Sequence, residues 1–142
     1  PDVGPYAQKD WPEKYKTYAA MVTRADGYVG RLLEILRSQG VEKETLVLFA
    51  SDNGGTTPEE HGFSFFRTNM NLRDKKGTLY EGGIRTPMIA RQPGRIRAGS
   101  TCETPVAFCD WLPTLVEKTP GKVDGVSFAP LLEGKPMAKR EY

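Results

Sequence analysis

Apolar residues recur at every third or fourth position from Tyr18 through Val22, Ala25, Val29, Leu32 and Leu33 to Leu36. That spacing lays one stripe along a helix, and such a stripe calls for a core to bury it. Asp10 offers an N-cap, Pro12 a first-turn residue and Glu13 a carboxylate for the positive end, while Gly40 supplies the stop. Gly27 and Gly30 lower the propensity inside the helix. Ahead of it, residues 1–9 carry Pro1, Gly4 and Pro5 without periodicity and predict a linker. Beyond it, residues 45–50 form a continuous run of β-formers, the pattern of a strand buried on both faces. A helix, a short turn and a doubly buried strand predict a parallel α/β sheet.

The remainder is looser. From residue 56 to Tyr80 there is no clear period, only polar, glycine and aromatic residues that include Phe63, Phe65 and Phe66, and a loop of that length in a compact domain is usually functional or disordered. Residues 86–90 predict a second strand. Residues 106–118 predict a short helix with Pro113 in its first turns or marking a break, and residues 119–142 predict turns around an apolar patch at Phe128, Leu131 and Leu132. At 142 residues the chain is about one domain long, and 15 Gly with 11 Pro make it rich in loops.

Twenty Lys and Arg against 18 Asp and Glu leave a net charge of +2, which excludes a nucleic-acid binder that works by bulk charge. No run of 18 apolar residues offers a membrane span. Cys102 and Cys109 lack zinc-ribbon spacing and read as ordinary thiols, and the lone His61 excludes a multi-histidine metal site within the chain.

Two clusters can carry chemistry. Ser51-Asp52-Asn53-Gly54-Gly55 follows the most buried strand, and ligands of open α/β sheets bind beyond the carboxyl ends of strands. Asp52 and Asn53 are hard oxygen donors suited to Ca²⁺ or Mg²⁺, with Gly54 and Gly55 free to adopt positive φ. The same residues also read as a hairpin or Asx turn that needs no metal. The second cluster is Lys75-Lys76-Gly77-Thr78-Leu79-Tyr80-Glu81-Gly82-Gly83-Ile84-Arg85-Thr86-Pro87. A lysine beside glycine suits sulfate or phosphate, and equally a solvated basic turn. Glu81 and Arg85, four apart, are placed to pair and brace the loop, and His61 could donate to an anion or move a proton.

Together, the strand with Ser51-Asp52-Asn53-Gly54-Gly55 and the run from Lys76-Gly77 to Arg85-Thr86-Pro87 resemble the formylglycine-dependent sulfatase family, in its arylsulfatase-like branch. Tyr18 to Leu33, Pro93-Gly94-Arg95-Ile96 and Asp124-Gly125-Val126-Ser127 extend the likeness along nearly the whole chain. The resemblance implies a partial alkaline-phosphatase-like sandwich, with a mostly parallel sheet and flanking helices. It implies that Asp52 and Asn53 complete a divalent-cation site, usually Ca²⁺ and less often Mg²⁺. Lys76, not Lys75, matches the sulfate-contacting lysine, a catalytic and substrate-binding position. Glu81 and Arg85 match structural positions, and His61 falls in a loop near the substrate.

The family's nucleophile is a formylglycine made from Cys/Ser-x-Pro-x-Arg, and neither Cys102 nor Cys109 stands in such a run. Residues 1–142 therefore read as the carboxyl-terminal portion of a sulfatase catalytic domain, inactive alone, with the nucleophile in an absent amino-terminal half. The expected parent is a sulfuric ester hydrolase acting on an aryl or glycan sulfate, with no nucleic-acid or membrane partner. A phosphoryl-ester hydrolase of the same superfamily and a non-catalytic module holding sulfated glycans are the alternatives. Self-association through an exposed apolar face, and an extracytoplasmic setting (periplasmic, secreted or lysosomal), complete the expectations.

Overall fold

A computed structural model describes residues 2–56, 63–116 and 121–139. Its elements are helix α1 (Glu13–Ser38), strand β1 (Val47–Ala50), helices α2 (Phe63–Phe66) and α3 (Glu81–Ile84), strand β2 (Met88–Arg91), and helices α4 (Trp111–Leu115) and α5 (Ala129–Leu132). Three-residue 3-10 turns precede α1 and α4, at Gly4–Tyr6 and Phe108–Asp110. β1 and β2 pair in a two-stranded sheet. The chain divides into two compact units, Pro1–Val41 with Leu48–Ile89, and Glu42–Val47 with Ala90–Tyr142.

In the first unit α1 ends as its sequence dictates. Gly40 has φ of +71°, its N–H donates to the Arg37 carbonyl (3.0 Å), and the Val41 N–H donates to that of Leu36 (3.1 Å). Those two bonds satisfy carbonyls that the helix leaves open and form a Schellman stop. The start differs from expectation. Pro12 takes an extended ψ of 139° and stands at the N-cap with no side-chain cap, so Asp10 lies outside the helix and Glu13 opens it.

The expected linker is structured. Tyr6 stacks on Trp11 at 5.7 Å, its hydroxyl shares a 2.7 Å hydrogen bond with Thr23, and the Lys16 ammonium donates to the Ala7 carbonyl. Trp11 meets Phe65 and Phe66 edge-on, and Tyr15 stacks on Phe65 at 4.4 Å. Aromatic contacts between offset or perpendicular rings each add to plain burial. They fasten α2, within the segment expected to be a loop, to the first turns of α1.

Farther along, the α1 stripe is not buried. Of the stripe, Val22 and Leu32 are 50% and 51% exposed while Val29, Leu33 and Leu36 are half-buried, so its cover among the described residues is partial. The strands share this condition. β1 is shorter than residues 45–50 and its Phe49 is 53% exposed, so it is not doubly buried; β2 starts two residues and ends one residue later than expected, with Ile89 at 61%. Apolar patterning reports what a surface is suited to meet, not that the covering element lies within the same 142 residues.

The second unit holds the deepest side chains. Phe128 is wholly buried and Leu132 nearly so, so the patch expected among turns is a small core closed by α5. Burying a phenylalanine contributes about 2–3 kcal/mol. Asp110 is also fully buried, and its carboxylate accepts from the Ala107 N–H (2.7 Å) and the Val126 N–H (2.9 Å). Thr114 extends the network, donating to the Asp110 carbonyl (2.6 Å) and accepting from the Phe128 N–H (2.9 Å). Gly125 passes so close to Cys109 that a Cβ would overlap the Cys109 carbonyl. Pro113 sits in α4, which begins at Trp111, early enough that no ladder bond is lost.

Candidate functional site

The loop after β1 is held from within and from across. The Ser51 hydroxyl donates to the Asn53 carbonyl (2.8 Å), and the Asn53 amide nitrogen donates to the Gly54 carbonyl (2.9 Å). The Gly54 N–H then donates to the Gly83 carbonyl (2.9 Å), so the loop lies against α3. Neither Gly54 nor Gly55 has a positive φ, contrary to expectation. Glycine is needed for proximity instead: a Cβ on Gly54 would overlap the Gly82 carbonyl, and one on Gly55 would press the Asn69 side-chain oxygen at 2.5 Å and the Thr68 hydroxyl at 2.6 Å.

Asn69, which the sequence reading did not single out, organises this region. It is 8% exposed, and its amide is engaged three times. Its Oδ1 accepts from the Gly55 N–H (2.7 Å), while its Nδ2 donates to the carbonyls of Asp74 and Gly82, the latter at 2.8 Å. One side chain thus ties the β1 loop, the Asp74–Lys76 segment and α3. Backbone bonds tighten the clasp: Lys76 N–H to the Gly55 carbonyl (3.0 Å) and Gly82 N–H to the Arg73 carbonyl (2.7 Å). Gly82 and Gly83 are buried, and a Cβ on either would overlap the Asp74 or Thr78 carbonyl.

The lysine cluster sits on a turn. Thr78 donates to the Lys75 carbonyl through its N–H (3.2 Å) and its hydroxyl (2.9 Å), and Gly77 takes φ of +91° at the turn position that favours glycine. Lys76 is exposed and Lys75 half-buried. Glu81 and Arg85 pair as expected, at 3.3 Å, but both are exposed, and such a pair contributes less than about 1 kcal/mol.

The backbones of the two clusters are therefore adjacent, through Gly55 and Lys76. The Asp52 carboxylate makes no hydrogen bond or ion pair with any described residue, and Asn53 is half-buried with its Oδ1 likewise unengaged among the described residues. Two hard oxygens with open lone pairs fit Ca²⁺ or Mg²⁺ as a partial ligand set, since Ca²⁺ takes about six to eight oxygens. No group of three or more His, Cys, Asp or Glu able to hold a metal occurs among the described residues. His61 lies outside the described residues, and Cys102 and Cys109 are free and exposed. No helix among the described residues is long and apolar enough to cross a membrane.

A family model for sulfatases matches residues 3–121. The chain belongs to the sulfatase family. It is 39% identical over 132 residues to a sulfatase of Formosa agariphila, covering 81% of this chain and 23% of the relative. It is 38% identical over 121 residues to human arylsulfatase A, covering 82% and 23%, and 33% identical over 141 residues to human steryl-sulfatase, covering 92% and 24%. A crystal structure of Ps i-CgsB in complex with k-i-k-neocarrahexaose superposes with a TM-score of 0.56 at 37% identity, over 65% of this chain and 19% of that one. The fold is accordingly the α/β, alkaline-phosphatase-like fold of the sulfatases, and the chain spans about a quarter of the length of these curated relatives.

Proposed function

We propose that the polypeptide to which this segment belongs hydrolyses sulfate esters, and that the segment supplies two metal ligands and one sulfate-binding cation. The observation that supports this most is the Asn69 clasp, which lays Gly55, two residues past Asn53, against the backbone of Lys76. Asp52 and the Asn53 side-chain oxygen would hold Ca²⁺, the hydrogen bond from Asn53 Nδ2 to the Gly54 carbonyl leaving Oδ1 to serve as ligand. When bound, the cation offers positive charge to sulfate oxygens and lowers the pKa of the attacking group.

Lys76 binds a sulfate oxygen and offsets the negative charge that grows on the transferred group. Its N–H bond to Gly55 keeps the ammonium's root fixed while the four-carbon stem reaches out. No cysteine of this chain stands in a Cys-x-Pro-x-Arg run, so the formylglycine nucleophile comes from elsewhere in the polypeptide and the segment by itself is inactive. The extracytoplasmic setting of the family goes with this reading. Aryl or saccharide sulfates are the substrate class, and the solved relative that carries a neocarrahexaose supports the saccharide.

The test is hydrolysis by the longer polypeptide of matched aryl sulfate and aryl phosphate, before and after chelation. The sulfate is expected to be the better substrate, with activity lost to chelator and restored by Ca²⁺. Preference for the phosphate, or full activity after chelation, would overturn the reading.

A further inference from the structure

A cavity of about 340 Å³ opens in the first unit beside the clasp, a volume at the low end for small-ligand sites. Its lining is of two kinds: Met70 and Leu72 are apolar, with Met70 81% exposed, and Ser64, Asp74, Arg67 and Lys75 are polar. Asn69 also lines it, but all three of its amide bonds go to backbone, so it is wall and not a ligand contact.

The two cations are available. Lys75 makes no hydrogen bond or ion pair through its ammonium with any described residue, and Arg67 uses one nitrogen, Nη2, on Asn71 (2.7 Å). Arg67, Met70 and Asp74, all in the wall, have φ of +52°, +54° and +65°, a region that residues with a Cβ rarely occupy. No other described non-glycine residue does so. Three such residues on one cavity wall are the kind of backbone strain that clusters at ligand sites.

A pyranose ring fits this lining. It has an apolar C–H face for Met70 and Leu72 and hydroxyls for Ser64 and Asp74. Of the three charged groups, two cations exceed one carboxylate, and an arginine fork with a lysine ammonium is the pair that takes an oxyanion substituent. We propose that this cavity binds a second, sulfated sugar ring, next to the ring whose sulfate ester meets Lys76. The proposal rests on the sulfate-ester reading and adds to it: Lys75 selects substrates sulfated on more than one ring, while Lys76 serves the scissile group.

The test is an amide-shift titration of this chain with three probes: a disaccharide sulfated on both rings, the unsulfated disaccharide, and inorganic sulfate. The doubly sulfated probe is expected to move the amides of residues 67–75. Lys75→Met and Arg67→Gln should each weaken it about tenfold, the size expected for one lost charge-assisted hydrogen bond, and Lys75→Arg should restore it. Spectra unchanged outside residues 64–76 establish that the variants fold. Affinity within about twofold of the unsubstituted chain in both variants would overturn the proposal, as would equal binding of the unsulfated disaccharide or of sulfate alone. Aryl sulfate turnover does not involve the cavity, so failure of that reaction leaves the titration to be judged by itself.

Discussion

Replacing Asn69 with Ala should undo the first unit around the site. The substitution removes three hydrogen bonds and leaves the Gly55 N–H and the Asp74 and Gly82 carbonyls without their partner. Each bond contributes about 0.5–1.5 kcal/mol net, and a buried group left unsatisfied costs about 1–3 kcal/mol. With Asn69 only 8% exposed, water replaces little of this, and the loss should come to about 3–5 kcal/mol. Domains of this size are stable by about 5–15 kcal/mol, so most of the margin would go.

Urea unfolding followed by tryptophan fluorescence separates the units, because Trp11 lies in the first and Trp111 in the second. In a Trp111→Phe background only Trp11 reports, and at a slope of about 1.5 kcal/mol per molar urea the midpoint should fall by about 2 M or more. Asn69→Asp keeps the acceptor for Gly55 but sets a carboxylate oxygen against two carbonyls, and should be no better than Ala. A midpoint shift below about 0.5 M, or a stable Asn69→Asp, would refute the clasp as the organiser of this region.

Other consequences are as direct. Gly30→Ala, in open space inside α1, should stabilise by about 0.5–1 kcal/mol, whereas Gly82→Ala, against the Asp74 carbonyl, should destabilise by about 1–3 kcal/mol; calorimetry reads both signs. Asp110→Asn turns a donor toward the Ala107 or Val126 N–H and should lower the unfolding free energy, read through Trp111, by about 2–3 kcal/mol. Glu133 titrates below the ordinary glutamate value, chiefly through the hydrogen bond and charge of Lys135 and then the charge of Arg95. A depressed folded value contributes stability above the unfolded value and loses it as pH falls through the folded one; carboxyl-carbon shifts should show Lys135→Ala raising the midpoint.

Local signals were legible from the residues alone. The α1 stripe with Gly40, a strand at Val47–Ala50 and the Glu81–Arg85 pair all depend on neighbours within a few positions. Asn69 was not legible, since its partners stand 14, 5 and 13 residues away and a single Asn in an aperiodic stretch looks like loop. Asp110 was hidden for the same reason, its Val126 partner lying 16 residues on. The glycines after Asn53 were read for φ and turned out to serve close approach, which only the Gly82 carbonyl reveals. Burial of Val22, Leu32 and Phe49 failed as an expectation because periodicity gives an element its apolar face without saying what packs on it.

The most direct trial of the whole proposal is the kcat/KM for an aryl sulfate in the longer polypeptide, comparing Lys76→Ala with Lys122→Ala, an exposed lysine of the second unit. Loss of one positively charged group from the transition state should lower it about 100-fold or more for Lys76. Values for the two variants within about threefold of each other would contradict the assignment of Lys76 to the reacting sulfate.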